Sequence, residues 1–143
     1  MLNNDTKERI TINIDSNEDK ILYKNILDSK WPFKNNLELF TMAALIGKYE
    51  LNEKKPINKS VSYIRVKDNI SKDDMIIIKS LAISDKNDVK IINDEDEMFK
   101  VSEQYARTGI KQINEWFDSK TVDLETQLAR ILIKKFNENK ELD

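Results

Sequence analysis

The sequence predicts a mainly α-helical fold: about five helices with one to three short β-strands, in a single domain spanning 1–143. Three observations predict it. Only two Gly and two Pro interrupt 143 residues, and few breakers in a long charged chain favour helices. Apolar residues recur at helical spacing through most of the chain, which argues against disorder although 35% of residues are charged. The length suits one hydrophobic core.

The chain divides by pattern into a strand-helix-helix unit over 8–47, a helical remainder over 61–139 and a frayed tail over 140–143. Residues 8–14 read Glu-Arg-Ile-Thr-Ile-Asn-Ile. Ile10, Ile12 and Ile14 alternate with Thr11 and Asn13, the period of a half-buried strand. Asp15-Ser16 offers a helix start, with Asp19 completing a capping box, and a first helix follows over 17–28. Its buried stripe is Leu22, Tyr23, Ile26 and Leu27. Trp31-Pro32-Phe33 ends it, because Pro32 disfavours helical geometry at Trp31. Asn36 caps a second helix over 37–46 and Gly47 ends it. That helix carries few charges, so it belongs at the centre, and Ala43-Ala44 invites close approach of another backbone.

Residues 52–60 are polar and lysine-rich and read as an exposed loop. A short strand is expected over 61–66. Ser71 caps a third helix over 72–83, with Met75, Ile77, Ile78, Leu81 and Ala82 facing inward. A turn at 85–88 and a short strand at 89–92 follow. Asp94-Glu95-Asp96-Glu97 opens a fourth helix reaching Phe117, where the carboxylates complement the helix dipole. Phe99, Ala106, Ile110, Ile113 and Phe117 form its stripe. Gly109 lies mid-helix at a cost of about 1 kcal/mol relative to Ala, so it marks a kink or a close contact. The last helix covers 122–137, with Leu124, Leu128, Ile131, Leu132 and Phe136 inward.

The chain contains no Cys and no His. Disulfides, thiolate chemistry, the usual general base and the commonest zinc ligand are therefore excluded. No apolar run approaches the roughly 20 residues that span a bilayer. The first residues show no signal-peptide pattern, so a cytoplasmic location is expected, with no membrane partner. A net charge of −2 does not by itself call for nucleic acid, although a local patch can. No cofactor motif is present: Gly-rich phosphate loops, Gly-x-Ser-x-Gly and dinucleotide fingerprints are all missing.

Four constellations could carry function. A strand followed by two helices is the order of a ribbon-helix-helix DNA-binding domain, in which two chains pair strands and insert the ribbon into the major groove. Arg9, Thr11 and Asn13 would then face base edges, Arg suiting guanine and Asn adenine. The start of the second helix, near Asn36 and Leu37, would hold a phosphate. An ordinary edge strand packed on the core shows the same alternation. Lys54, Lys55 and Lys59, with Arg65 and Lys67, could touch phosphates, or simply line a solvated loop. The acidic run 94–97, with Asp85 and Asp88 upstream, could bind Mg²⁺ or Ca²⁺. Consecutive carboxylates on a helix diverge, however, so a solvated helix start is preferred and no metal is expected. Pairing Asp88 or Asp94 with Lys100 would imitate a nuclease set, which random occurrence in so charged a chain also explains. The aromatic residues Trp31, Phe33, Tyr105, Trp116 and Phe117 read as core or interface anchors rather than a base-stacking platform.

Two segments carry a resemblance. Trp31-Pro32-Phe33 leads into a helix with Phe40, Ala43-Ala44 and Gly47, and Glu103-Gln104-Tyr105-Ala106-Arg107-Thr108-Gly109 follows later. Together they resemble small accessory proteins encoded with bacterial DNA-phosphorothioation (Dnd) operons, which act in DNA modification and defence. The resemblance spans roughly 10–117. It implies a non-enzymatic helper of larger defence proteins, with other proteins of the same operon as partners, DNA as a further candidate and no catalytic motif. It also implies structural weight at Tyr105 and Gly109. The competing expectation is a homodimeric ribbon-helix-helix regulator.

Overall fold

The structure, a computed structural model, describes residues 11–28, 33–66, 70–118 and 124–141. Strand β1, Thr11–Asp15, buries Ile12 and Ile14 on one side. It pairs antiparallel with β2, Ser60–Arg65, with Thr11 opposite Arg65, Asp15 opposite Ser60 and an irregularity between Ile12 and Asn13. The expected strand began at 8; residues 8–10, with Arg9 among them, lie outside the described residues, as do Trp31 and Pro32.

Helix α1, Ser16–Asp28, starts at once from β1. Ser16 turns the chain at φ 62°, and its N–H donates to the Lys59 carbonyl at 2.8 Å. The Ser16 hydroxyl accepts from the Glu18 N–H at 3.2 Å. The expected capping box does not form, because Asp19 is buried, 4% exposed, and is turned into the protein. Tyr23 and Ile26 are buried as expected.

Helix α2, Asn36–Leu45, is capped by Asn35, whose side chain accepts from the Glu38 N–H at 2.9 Å. The expected cap was Asn36, one residue later. Leu37, Leu39, Phe40, Thr41, Ala43 and Ala44 are all buried. A helix apolar on nearly every side can only be stable in the interior. Gly47 does not end it. The chain continues as a π-helical turn, Ile46–Leu51, and stops at Asn52, which is left-handed at φ 49°. Asn tolerates that region better than most residues. Gly47 serves packing instead.

Helix α3, Lys72–Lys86, is capped by Ser71 as expected and runs through the predicted turn to Asn87 at φ 53°. Residues Val89–Asn93 form a 3-10 turn rather than a strand. The Asp88 carboxylate accepts from the Lys90 N–H at 3.0 Å. Local bonds thus satisfy the backbone, and among the described residues the sheet consists of β1 and β2. Helix α4, Glu95–Asp118, is the longest; its buried face runs from Met98 to Ile113. Asp94 accepts from the Glu97 N–H at 3.2 Å, which caps it.

The core centres on α2 crossing α4. A methyl group built on Gly109 would lie 1.7 Å from the Ala43 carbonyl oxygen. One built on Gly47 would lie 2.0 Å from the Tyr105 carbonyl oxygen. Gly109 therefore marks a close contact, the second of the two expected explanations. Helix α5, Leu124–Glu141, extends past the expected end. Leu128 is buried, but Leu132 and Phe136, expected inward, are 55% and 68% exposed. The surface offered by α2 and α4 covers a narrower stripe of α5 than its apolar pattern spans.

Gly109→Ala adds a methyl group where backbone already sits. Overpacking typically costs about 1–3 kcal/mol, against about 1 kcal/mol of regained helix propensity. With backbone as the obstacle the overpacking cost lies at the upper end of that range, and the expected outcome is a net loss of about 2 kcal/mol, read by urea unfolding. An unchanged midpoint would contradict the crossing.

Candidate functional site

The polar side chains Thr11 and Asn13 of β1 bond on the half-exposed face of the sheet. Thr11 Oγ1 donates to Asn13 Oδ1 at 3.4 Å, and Ser62 Oγ donates to the same oxygen at 3.3 Å. The Asn13 backbone N–H donates to Glu103 Oε2 at 2.6 Å. A strand free to pair with a second copy would keep that N–H for the ladder; here a carboxylate of α4 takes it.

The 52–59 segment is exposed but held down as a strap across α4. The Lys55 N–H donates to the Gln104 carbonyl at 3.1 Å, and Thr108 Oγ1 donates to the Glu53 carbonyl at 2.7 Å. Arg107 donates to the Pro56 carbonyl. The three strap lysines fare differently. Lys54 is committed to Asp85 at 2.8 Å. Lys55 lies 3.9 Å from Glu53, and both are exposed. Lys59 uses its backbone to bond Asp15, and its side chain is exposed.

Asp85 gathers further partners. Tyr105 donates its hydroxyl to it, Lys48 lies 3.9 Å away, and the Lys48 ammonium sits 5.2 Å from the Tyr105 ring centre. Burial pushes the Asp85 carboxyl up, but the hydrogen bonds from Lys54 and Tyr105 outweigh it and hold it below the usual range. Burial and the Asp85 charge push the Tyr105 phenol up to about 12. A phenol held neutral in this way anchors the π-helical turn and α3 to α4.

The most unusual constellation was not foreseen. Asp15, Asp19 and Glu103 are buried, at 6%, 4% and 4% exposure. They meet Arg107 and Tyr23 where β1, α1, α4 and the strap converge. Asp15 Oδ2 pairs with Arg107 Nη2 at 3.0 Å. Asp15 Oδ1 accepts the N–H groups of Asn58 and Lys59 at 2.6 and 2.9 Å. Burial raises its carboxyl, but those two N–H groups and Arg107 prevail and lower it. Asp19 lacks such compensation. Burial pushes it up to about 6; Lys111 opposes this, and the Asp15 charge adds to it. The signal in the sequence was the spacing of four between Asp15 and Asp19 and between Glu103 and Arg107, which stacks each pair on one helical face or bend. In a chain so rich in charge that spacing is common, so it did not stand out.

The other expected anchors are scattered. Phe33 and Tyr105 are buried, Gly109 sits at the crossing and Trp116 is half-buried against the core. On the far side of α2, an apolar groove of about 360 Å³ is lined by Met42, Leu45, Ile46, Tyr49, Leu128 and Ile131. Leu132 completes the lining, and Ile133 and Phe136 of the same helix are 61% and 68% exposed.

The family model for DNA sulphur modification system-associated protein 4 matches residues 9–143. The chain belongs to that family. The match includes both segments that carried the resemblance, one at each side of the glycine crossing. It connects the chain with DNA sulphur modification systems, as an associated protein. No curated protein and no solved structure matches.

Among the described residues no group of three or more carboxylates is placed to hold a metal ion. No helix among them is long and apolar enough to cross a membrane. The acidic run 94–97 starts α4, with Asp96 and Glu97 held by Lys100 at 3.4 and 3.2 Å.

Arg107→Met should destabilise the fold by about 3–5 kcal/mol near neutral pH, since it strands a buried carboxylate. Asp15 has a lowered carboxyl pKa in the fold. Its contribution is therefore present above its unfolded value of 3.8 and is lost as pH falls through the folded value. The penalty of Arg107→Met should accordingly shrink on acidification below that value. Chemical unfolding at neutral and strongly acidic pH measures both; a pH-independent penalty would contradict the pairing.

Proposed function

We propose that the chain is a non-catalytic accessory subunit of a prokaryotic DNA-modification or antiviral defence system, working by binding protein partners of the same operon. The observation that carries this reading is the apolar face left open on α5. Leu132, Ile133 and Phe136 lie within five residues of one another on the helix and are exposed, and Leu132 lines a groove whose walls are almost wholly apolar. Grouped large apolar residues at a surface mark contact sites, whereas single ones do not. Membership in a family associated with a modification system supplies the kind of partner.

The chemistry of the polar residues supports binding over turnover. The Asp85 and Asp15 carboxylates are engaged by ammonium, guanidinium, phenol and backbone donors. The phenol of Tyr105 is held protonated. With no imidazole or thiol in the chain, proton transfer near neutral pH has few carriers.

DNA is the second partner we assign, in a supporting role through phosphate contacts of Lys55 and Lys59 on the strap. Lys54 is less suited, since the Asp85 pair holds it. The alternative of a homodimeric ribbon-helix-helix regulator keeps the strand-helix-helix order as its support. It must accommodate β1 already paired with β2 of the same chain and Asn13 bonded to Glu103.

Ile133→Glu combined with Phe136→Glu should leave helix content unchanged, because both side chains are exposed, and should abolish co-purification with co-expressed proteins of the modification system. Retained co-purification would remove α5 as the docking face. Lys55→Ala with Lys59→Ala should weaken DNA retardation and lower the salt slope by about one for each phosphate the protein no longer neutralises. An unchanged slope would remove the strap from any role in holding DNA.

A further inference from the structure

Among the described residues, the junction of β1, α1, α4 and the strap gathers three buried acids around one guanidinium, Arg107. Asp15, Asp19 and Glu103 come from three different elements and are all buried. Arg107 stands among them, and Lys111 is exposed at the edge. The groups facing Asp19 are Asp15 from β1, Glu18 from α1, and Arg107 and Lys111 from α4. Tyr23 of α1 faces Asp19, Glu103 and Tyr63 of β2. From α2, Phe40 closes the site with an apolar ring, and from the strap Ile57 adds an apolar side chain. The strap also contributes the N–H groups of Asn58 and Lys59 and the Pro56 carbonyl.

The division of partners is uneven. Arg107 spends one nitrogen on Asp15 and another on Pro56. Asp15 also takes both strap N–H groups. Glu103 holds the Asn13 N–H. Asp19, on the first turn of α1, has its carboxyl pKa raised chiefly by burial; Lys111 and Arg107 attract its charge, and Asp15 and Glu18 repel it. Burying a charge without full compensation is costly, and protonation is the ordinary escape.

We propose that the Asp15–Asp19–Glu103 cluster around Arg107 is a proton-sensitive latch, closed by one proton on Asp19, that fastens β1, α1 and the 52–59 strap to α4. Protonation turns Asp19 from a desolvated anion into a neutral group and leaves Arg107 to serve Asp15. At neutral pH the Asp19 carboxylate regains its hydration only when the junction opens, so the strap opens more often. Opening releases the Asn13, Asn58 and Lys59 N–H groups together, since all three end on carboxylates of this cluster.

The sign follows from linkage. Asp19 has a raised carboxyl pKa in the closed state, so closing is favoured most below its ordinary value of 3.8 and is weakened as pH rises through about 6. Asp15 works in the opposite direction, but only on further acidification, because its closed-state value is lowered. Across mildly acidic to neutral pH, Asp19 therefore dominates.

Amide hydrogen exchange on the intact chain tests the latch. Three amides report it: Asn13, bonded to Glu103, and Asn58 and Lys59, bonded to Asp15. After correction for intrinsic exchange, their protection should fall about tenfold from about pH 5 to about pH 7.5. In Asp19→Asn the same amides should be protected alike at both values. Flat protection in the native chain, or an unchanged slope in Asp19→Asn, would overturn the proposal. Should Asp19→Asn not fold, carboxyl NMR titration of the native chain decides. A midpoint near 6 for Asp19 upholds the latch, and one at its ordinary value of 3.8 refutes it.

Discussion

Everything in this fold hangs on how closely α2 approaches α4. The two glycines of the chain lie on opposite sides of that crossing, each against the other helix's backbone. Gly47 meets Tyr105 and Gly109 meets Ala43, so the approach is reciprocal. Small residues lower the interaxial distance, and a lower distance lets Phe40, Ile110 and Ile113 fill the flanks without voids. Gly109 carries a helix-propensity cost that tertiary packing offsets.

From that crossing the polar architecture follows. The turn of α4 between Glu103 and Thr108 presents alternate faces to two layers. One face, with Tyr105 and Gly109, meets α2 and its π-helical extension. The other, with Glu103 and Arg107, meets β1 and the strap. The strap has little apolar surface of its own. It keeps its place because α4 backbone and side chains supply hydrogen bonds at Glu53, Lys55 and Pro56. The segment that carries the exposed lysines is thus positioned by the same helix turn that carries the buried charges.

The helices were legible where periodicity was long and unopposed. The stripes of α3 and α4, the cap at Ser71 and the acidic start of α4 emerge directly from spacing and side-chain chemistry. The alternation over 8–14 reads as a strand, which its described part, 11–14, forms, and the run at 61–66 reads as the strand found at 60–65. Short apolar runs were not decidable. Val89–Asn93 has strand-like residues but forms a 3-10 turn, where local capping by Asp88 prevailed. Gly47 has the look of a helix end, yet its lack of a side chain was needed for space rather than for a left-handed turn. On α5 the apolar pattern was wider than the surface available to cover it, and only the tertiary fold shows which part stays open.

The sequence by itself determined the helical class, the order of the five helices, the exclusion of thiol and imidazole chemistry and the family resemblance. These depend on composition and on neighbours within a few residues. Tertiary structure decided which of many carboxylates are buried, which lysines stand exposed on the strap and which face of α5 meets solvent. Those outcomes depend on residues some 40 to 90 positions apart, as in the bonds of Asp15 to the strap and of Asn13 to Glu103. Burial, not charge itself, sets whether an acid is ordinary or perturbed, and burial exists only once the helices have crossed.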